Sequence, residues 1–241
     1  MRDIRARYQQ TVLGLLWTFL QPVLSTVLLV FCFHNVLGLN SGKVPFSLFS
    51  YPSVLVWIFF SKAVLGGSQC IVGNRKLITR IYFPRAILPL SAVVGHLFDF
   101  GIGMVTTLIA IAACGLPLAG NLLWQLPLLF LHITLLALAV SYALAAVHVR
   151  FRDVGYATSF ALQLGMYATP VAFPLSAVPA RWQTLIVLNP LTGILETLRS
   201  ALFQLPWNFA VFAQSLAVTA TLFLSSFLFF HWQERDFADL A

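Results

Sequence analysis

His96 and Asp99 stand three residues apart within Ala86 to Val149, a stretch whose only charged residue is Asp99. That spacing places both on one helix face. An acid at the centre of a membrane helix costs about 2.5–3.5 kcal/mol, so its presence asks for a reason. Asp99 and His96 can serve as a polar point on a translocation path, or as a partnered pair that fixes helix packing, with Lys62 as the nearest candidate partner. A proton relay or antiporter usually needs several intramembrane acids, so ion coupling has weak support.

Phosphate chemistry is the next candidate. A phosphate-binding loop needs G-x-x-x-x-G-K-[ST], so that backbone amides and the lysine cradle the phosphates. GLNSGKV, Gly38 to Val44, is one residue short between its glycines and has Val44 where a hydroxyl is required. The chain is therefore not expected to bind ATP by that route. Cys32, Cys70 and Cys114 lie in apolar sequence without paired spacing, and read as small core residues. His34, His132, His148 and His231 are placed near span ends, so no metal site is expected. No nucleophile–base arrangement is legible.

The strongest positive cluster is GNRKLITRIYFPR, Gly73 to Arg85, with Arg75, Lys76, Arg80 and Arg85 and no carboxylate. Charges alone would hold a loop on the cytoplasmic side or bind anionic lipid headgroups. Asn74 at the start, an apolar side of Leu77, Ile78 and Ile81, and Pro84 as a stop suit a third role better. They describe a short amphipathic helix on which a cytoplasmic partner can dock.

The elements that position these residues follow from composition. Of 241 residues, 60% are hydrophobic and 9% charged, with mean hydropathy +0.90. A soluble domain carries about 25% charged residues to wet its surface. The chain reads as an all-α polytopic membrane protein with one transmembrane domain, 1–241. The net charge of +7 falls in short clusters between apolar runs, which indicates topology and excludes nucleic acid as a partner. A span needs about 20 apolar residues, and six segments approach this: about 12–36, 46–68, 88–114, 122–147, 156–175 and 209–230. Ten of the fourteen Lys and Arg fall on one side of this arrangement, which makes both termini cytoplasmic. Pro170, Pro174 and Pro179 rule out a continuous helix through the end of the fifth segment. LTGILETLRSALFQL then reads as a short amphipathic helix, with Glu196, Arg199 and Ser200 off its apolar face. It is expected at the outer surface or dipping back partway.

RDIRARYQQTVLGLLWTFLQP (Arg2 to Pro22), GNRKLITRIYFPRAILPL (Gly73 to Leu90) and VRFRDVGYATSFALQLGMYATPVAFPLSAVP (Val149 to Pro179) carry a resemblance to a known family, together with LNPLTGILETLRS and the tail ERDFADLA. In that order they resemble the permease subunits of type-2 ABC exporters for polysaccharides: O-antigen, capsule and teichoic acid chains. The resemblance implies six transmembrane helices, both termini inside, and a homodimer in the bacterial inner membrane. It also implies a separate ABC ATPase subunit through which ATP and Mg act, with no cofactor on this chain. The substrate would be an undecaprenyl-diphosphate-linked glycan. A cytoplasmic coupling helix between helices 2 and 3 would use Asn74, Arg75, Lys76, Leu77, Ile78, Arg80, Tyr82 and Phe83, with Arg150, Arg152 and Asp153 as a second contact. Short re-entrant or interfacial gate helices between helices 5 and 6 would involve Pro170, Pro174, Asn189, Pro190 and Arg199. Tyr51, Trp57, Phe59, Phe60, Phe98 and Tyr167 would line the path, alongside Lys62, His96 and Asp99. From composition alone these aromatics read as packing or interfacial belt. Family members carry a few dozen residues ahead of the R-D-I motif as an amphipathic interface helix; this sequence begins at the motif. An ion-coupled flippase or channel and a small-molecule or drug exporter remain the alternatives.

Overall fold

A computed structural model describes residues 16–40, 42, 44–75, 83–117 and 120–234. Among them are eight α-helices and no strand. Helix α1, Leu16–Leu29, continues as π-helical turns over Val30–Val36. Then come α2, Phe46–Gly73, α3, Ile87–Ala113, and α4, Leu122–Arg150. Helix α5 is Val154–Ala168, α6 is Ala180–Leu188, α7 is Pro190–Phe203 and α8 is Phe209–Gln233.

Five of these are long and apolar enough to cross a membrane: α1 with its π-helical extension, α2, α3, α4 and α8. The bent pair α6–α7, folded by 99° at Asn189, makes up to six if it counts as one span. The expected fifth span, 156–175, is realised as α5, with 15 residues. At about 1.5 Å per residue it reaches about 22 Å, short of a hydrocarbon core of about 30 Å. It stops at Ala168 because Pro170 cannot donate to the ladder. Pro174 and Pro179 then sit immediately before the short 3₁₀ turn Leu175–Ala177 and α6, where a missing N–H costs nothing.

Helices α2 and α4 form the centre. Over its most apolar window, α2 is 72% buried, against 17% for α1. Small residues allow the close approach: a Cβ on Gly67 would lie 2.3 Å from Ser141 Oγ, so α2 and α4 meet at backbone distance there. Phe59, Phe100 and Phe130 stack in sequence across α2, α3 and α4, with ring centroids 5.0 and 4.7 Å apart. α8 lies along α4 and α7. α1 and α5 rest on the outside of this body.

Candidate functional site: two ends of the bundle and the segments between

One end gathers the basic turns. Asn74 closes α2, its side-chain amide donating to the Cys70 carbonyl at 2.8 Å. Lys76, Leu77, Ile78, Arg80 and Tyr82 lie outside the described residues; Arg75 and Phe83 border that gap, and Phe83 packs against the core. Arg85 is fixed to the far end of α8. Its backbone N–H donates to Glu234 Oε1 at 2.9 Å, and its guanidinium to the Glu234 carbonyl. His231 is 3.2 Å from the other carboxylate oxygen. His148 Nδ1 reaches the Ser68 carbonyl at 2.9 Å, tying the end of α4 to that of α2. Arg150, Arg152 and Asp153 form an exposed turn beside it. Asn74, Arg85, Arg150, Arg152 and Glu234 thus share one end of the bundle.

The opposite end is built on Arg199. The sequence places this residue off the apolar face of an amphipathic helix; the structure buries it to 1% exposure. Partners explain the burial. The chain leaves α5 with carbonyls that receive no helical N–H, and Arg199 donates to two of them, Pro170 at 2.6 Å and Val171 at 3.2 Å. It also pairs with Glu196 at 2.9 Å, reaches Ser53 Oγ of α2 at 3.4 Å and lies 4.2 Å over the Phe49 ring. A buried cation survives only with this many partners. One side chain therefore joins α7, α2 and the turn after α5.

Asn189 supplies a second tie. Its side-chain oxygen accepts from Leu191 N at 3.0 Å, and Pro190 occupies the first helical position. That is the N-cap-then-proline start of a helix. Its amide donates to Thr169 Oγ1 at 2.9 Å. Ser215 of α8 donates to the Pro190 carbonyl at 2.5 Å. His132, expected near a span end, is buried inside α4 and bonds Thr219 of α8 at 3.0 Å. Of the expected gate residues, Pro170, Asn189, Pro190 and Arg199 come together in one hydrogen-bonded cluster, and Pro174 follows one turn later. Glu196, three residues before Arg199, joins the cluster at a spacing the sequence shows; Ser53, Phe49, Thr169 and Ser215 complete it, and no spacing marks them.

Lys62, His96 and Asp99 line one cavity of about 30 Å³ with Thr18 and Pro22 of α1. It has room for a water molecule and none for a sugar ring. None of the three lacks an interaction partner. The aromatic candidates do not share one surface in a single chain. Trp57, Phe59 and Phe60 are buried, Tyr51 bonds Thr106 at 3.2 Å, and Phe98 and Tyr167 are exposed. Among the described residues no cluster of His, Cys, Asp or Glu could hold a metal ion.

Comparison with known proteins decides the class. The sequence profile of the ABC-2 type transporter matches residues 1–203. The chain belongs to the ABC-2 type transporter membrane family. It is 32% identical over 242 residues to the O-antigen export system permease protein RfbA of Myxococcus xanthus, covering 99% of this chain and 92% of that protein. It is 23% identical over 199 residues to the protein of the same name in Klebsiella pneumoniae, 82% of this chain and 76% of that one. The capsule polysaccharide export inner-membrane protein CtrC of Neisseria meningitidis is 24% identical over 242 residues, 91% and 88%. Members of the ABC-2 family are transporter membrane subunits whose ATPase is a separate chain, so this chain is a multi-pass membrane protein of that kind.

Proposed function

We propose that this chain is the permease subunit of an ABC exporter that moves a lipid-linked, O-antigen-like polysaccharide across the bacterial inner membrane. ATP hydrolysis with Mg in a separate nucleotide-binding subunit drives the step. The observation that carries this is the 32% identity to an O-antigen export permease along 99% of the chain. Two copies of this single transmembrane domain would enclose the path, with an undecaprenyl-diphosphate-linked glycan as substrate.

Six crossings with both termini inside fit the geometry. Arg85 and Glu234 share one end, so α3 starts where α8 finishes. For α8 to start at the outer end, the stretch from α5 to α7 must cross once. α5 with the proline turn would make that crossing, and the 99° pair α6–α7 would be the re-entrant gate. Asn74 to Phe83 would then be the coupling helix, with Arg150, Arg152 and Asp153 as the second ATPase contact. α8 connects this end to the gate through Ser215 and Pro190. Exposed Phe98 and Tyr167 are the aromatics best placed to meet substrate.

Co-purification tests the assignment. The chain should recover an ABC ATPase, and charge reversal at Arg75 and Lys76 should weaken that complex without changing the amount of membrane-inserted chain. Full recovery of the complex by the reversed variant would remove the coupling-helix assignment.

A further inference from the structure

Helix α5 does not lie flat on the body. It touches α4 through Gly155, where a Cβ would come within 3.1 Å of the His148 ring, and α2 through Gly165, where a Cβ would meet Trp57 at 3.0 Å. These contacts are ten residues apart, about 15 Å along the helix. Beneath and between them runs a cleft of about 630 Å³, or about 1280 Å³ with the open space at its mouth. Ala157, Thr158, Ala161 and Gly165 line it from α5, facing Phe60 and Val64 of α2 and Leu136 and Val140 of α4. α5 approaches the body closely at these two glycines and bridges the cleft between them.

The dimensions limit the occupant. Lining residues extend from Val154 to Thr169, about 22 Å of helix. The cleft is open along one side and lined mostly by apolar side chains, and an extended hydrocarbon chain, one carbon wide with neighbours at about 3.5–4.0 Å, fits along it. Water is a poor filler for a cleft with so few polar groups.

Three polar side chains line the cleft; Thr169 and Asn189 are bonded to each other, and Thr158 is the one left over. Thr158 is 4% exposed and lines the cleft, and its Oγ1 has no hydrogen-bond partner. It lies about 6 Å along the helix from Val154, next to the turn carrying Arg150 and Arg152. Asp153 offsets one of those charges, and the N-terminus of α5 adds positive potential at the same mouth. A hydrocarbon chain, an oxygen acceptor one turn in and an anion at the mouth together describe a phospholipid.

We propose that this cleft holds one acyl chain of a membrane phospholipid from the leaflet on the Arg150–Asp153 side, its ester oxygen accepting from Thr158 and its phosphate at that turn. The inference rests on the multi-pass membrane reading and not on the exported substrate. A seated lipid keeps α5 apart from α2 and α4, which sets the position of the segment that Arg199 and Asn189 hold.

Native mass spectrometry on the chain purified from vesicles of phosphatidylethanolamine and phosphatidylglycerol tests this. The wild type should retain one phospholipid per chain. Ala161→Phe, which fills the cleft, should lower that occupancy roughly tenfold, and Thr158→Val should lower it less. Phe160→Ala, on the exposed side of α5, should leave it unchanged. Ala157→Leu repeats the filling test should Ala161→Phe fail to fold. Equal retention by wild type and filled variants overturns the proposal. So does a retained polyprenyl phosphate in place of phospholipid, or an Ala161→Cys variant that forms disulfide-linked dimers. Loss of ATPase recovery in the co-purification would sink the exporter assignment and leave this result standing.

Discussion

Helices α5 and α7 are nearly equal in length, 15 and 14 residues, and both are too short to span. Their surroundings are opposite. Eleven residues of α7 are buried, Arg199 among them, while Thr158 alone is buried on α5. α7 is held by charge-assisted hydrogen bonds from its own side chains to α2 and the proline turn. α5 is held at two glycines and at its ends. The difference teaches that apolarity does not decide which helix is fixed; directional polar contacts do. An exporter needs both kinds, a rigid frame and an element whose position can change at low cost.

The contrast breaks most severely at Arg199. Arg199→Ala strands Glu196 and the Pro170 and Val171 carbonyls, and should cost about 3–5 kcal/mol, read as a large fall in thermal stability in detergent. Gly193→Ala comes next. Its Cβ would lie 2.3 Å from the Ser215 Cβ and 2.9 Å from the Val211 carbonyl, so α7 must move off α8 at a cost of about 1–3 kcal/mol by the same measurement. Asn189→Ala removes the helix cap and should cost about 1 kcal/mol. On α5 the exposed ring of Phe160 should be nearly silent: Phe160→Ala should stay within about 0.5 kcal/mol. Amide exchange sharpens the same comparison, with α7 protected longer than α5; the reverse order would remove the distinction.

Much of this architecture was legible in the sequence, for physical reasons that differ by element. Apolar runs and their basic flanks located α2, α3, α4 and α8 within a few residues, because a spanning helix is dictated by length and hydropathy. The amphipathic pattern from Leu191 onward located the body of α7, whereas the cap formed by Asn189 and Pro190 emerged only in the structure. The end of α5 was marked by Pro170, but its short reach was not, since the apolar run continues through Val171 and Phe173. The burial of Arg199 was not legible, because helical periodicity sets it off the apolar face and says nothing of what covers it. Its partners come from α2 and the proline turn, 146 and 29 residues away in sequence. His132, expected near a span end, is buried within α4 instead, its partner Thr219 being 87 residues on. Asp99 and His96 announced a polar point, and Lys62 was named as a partner before the fold brought all three to one cavity.

The central claim is that a separate ATPase drives export through this chain. Its most direct test is translocation of a lipid-linked glycan in proteoliposomes containing the chain with or without its ATPase, with the ion gradient clamped. The account predicts ATP-dependent translocation with both subunits and none with the chain alone. Translocation by the chain alone, or transport that follows an imposed pH gradient and is lost in Asp99→Asn, would contradict it.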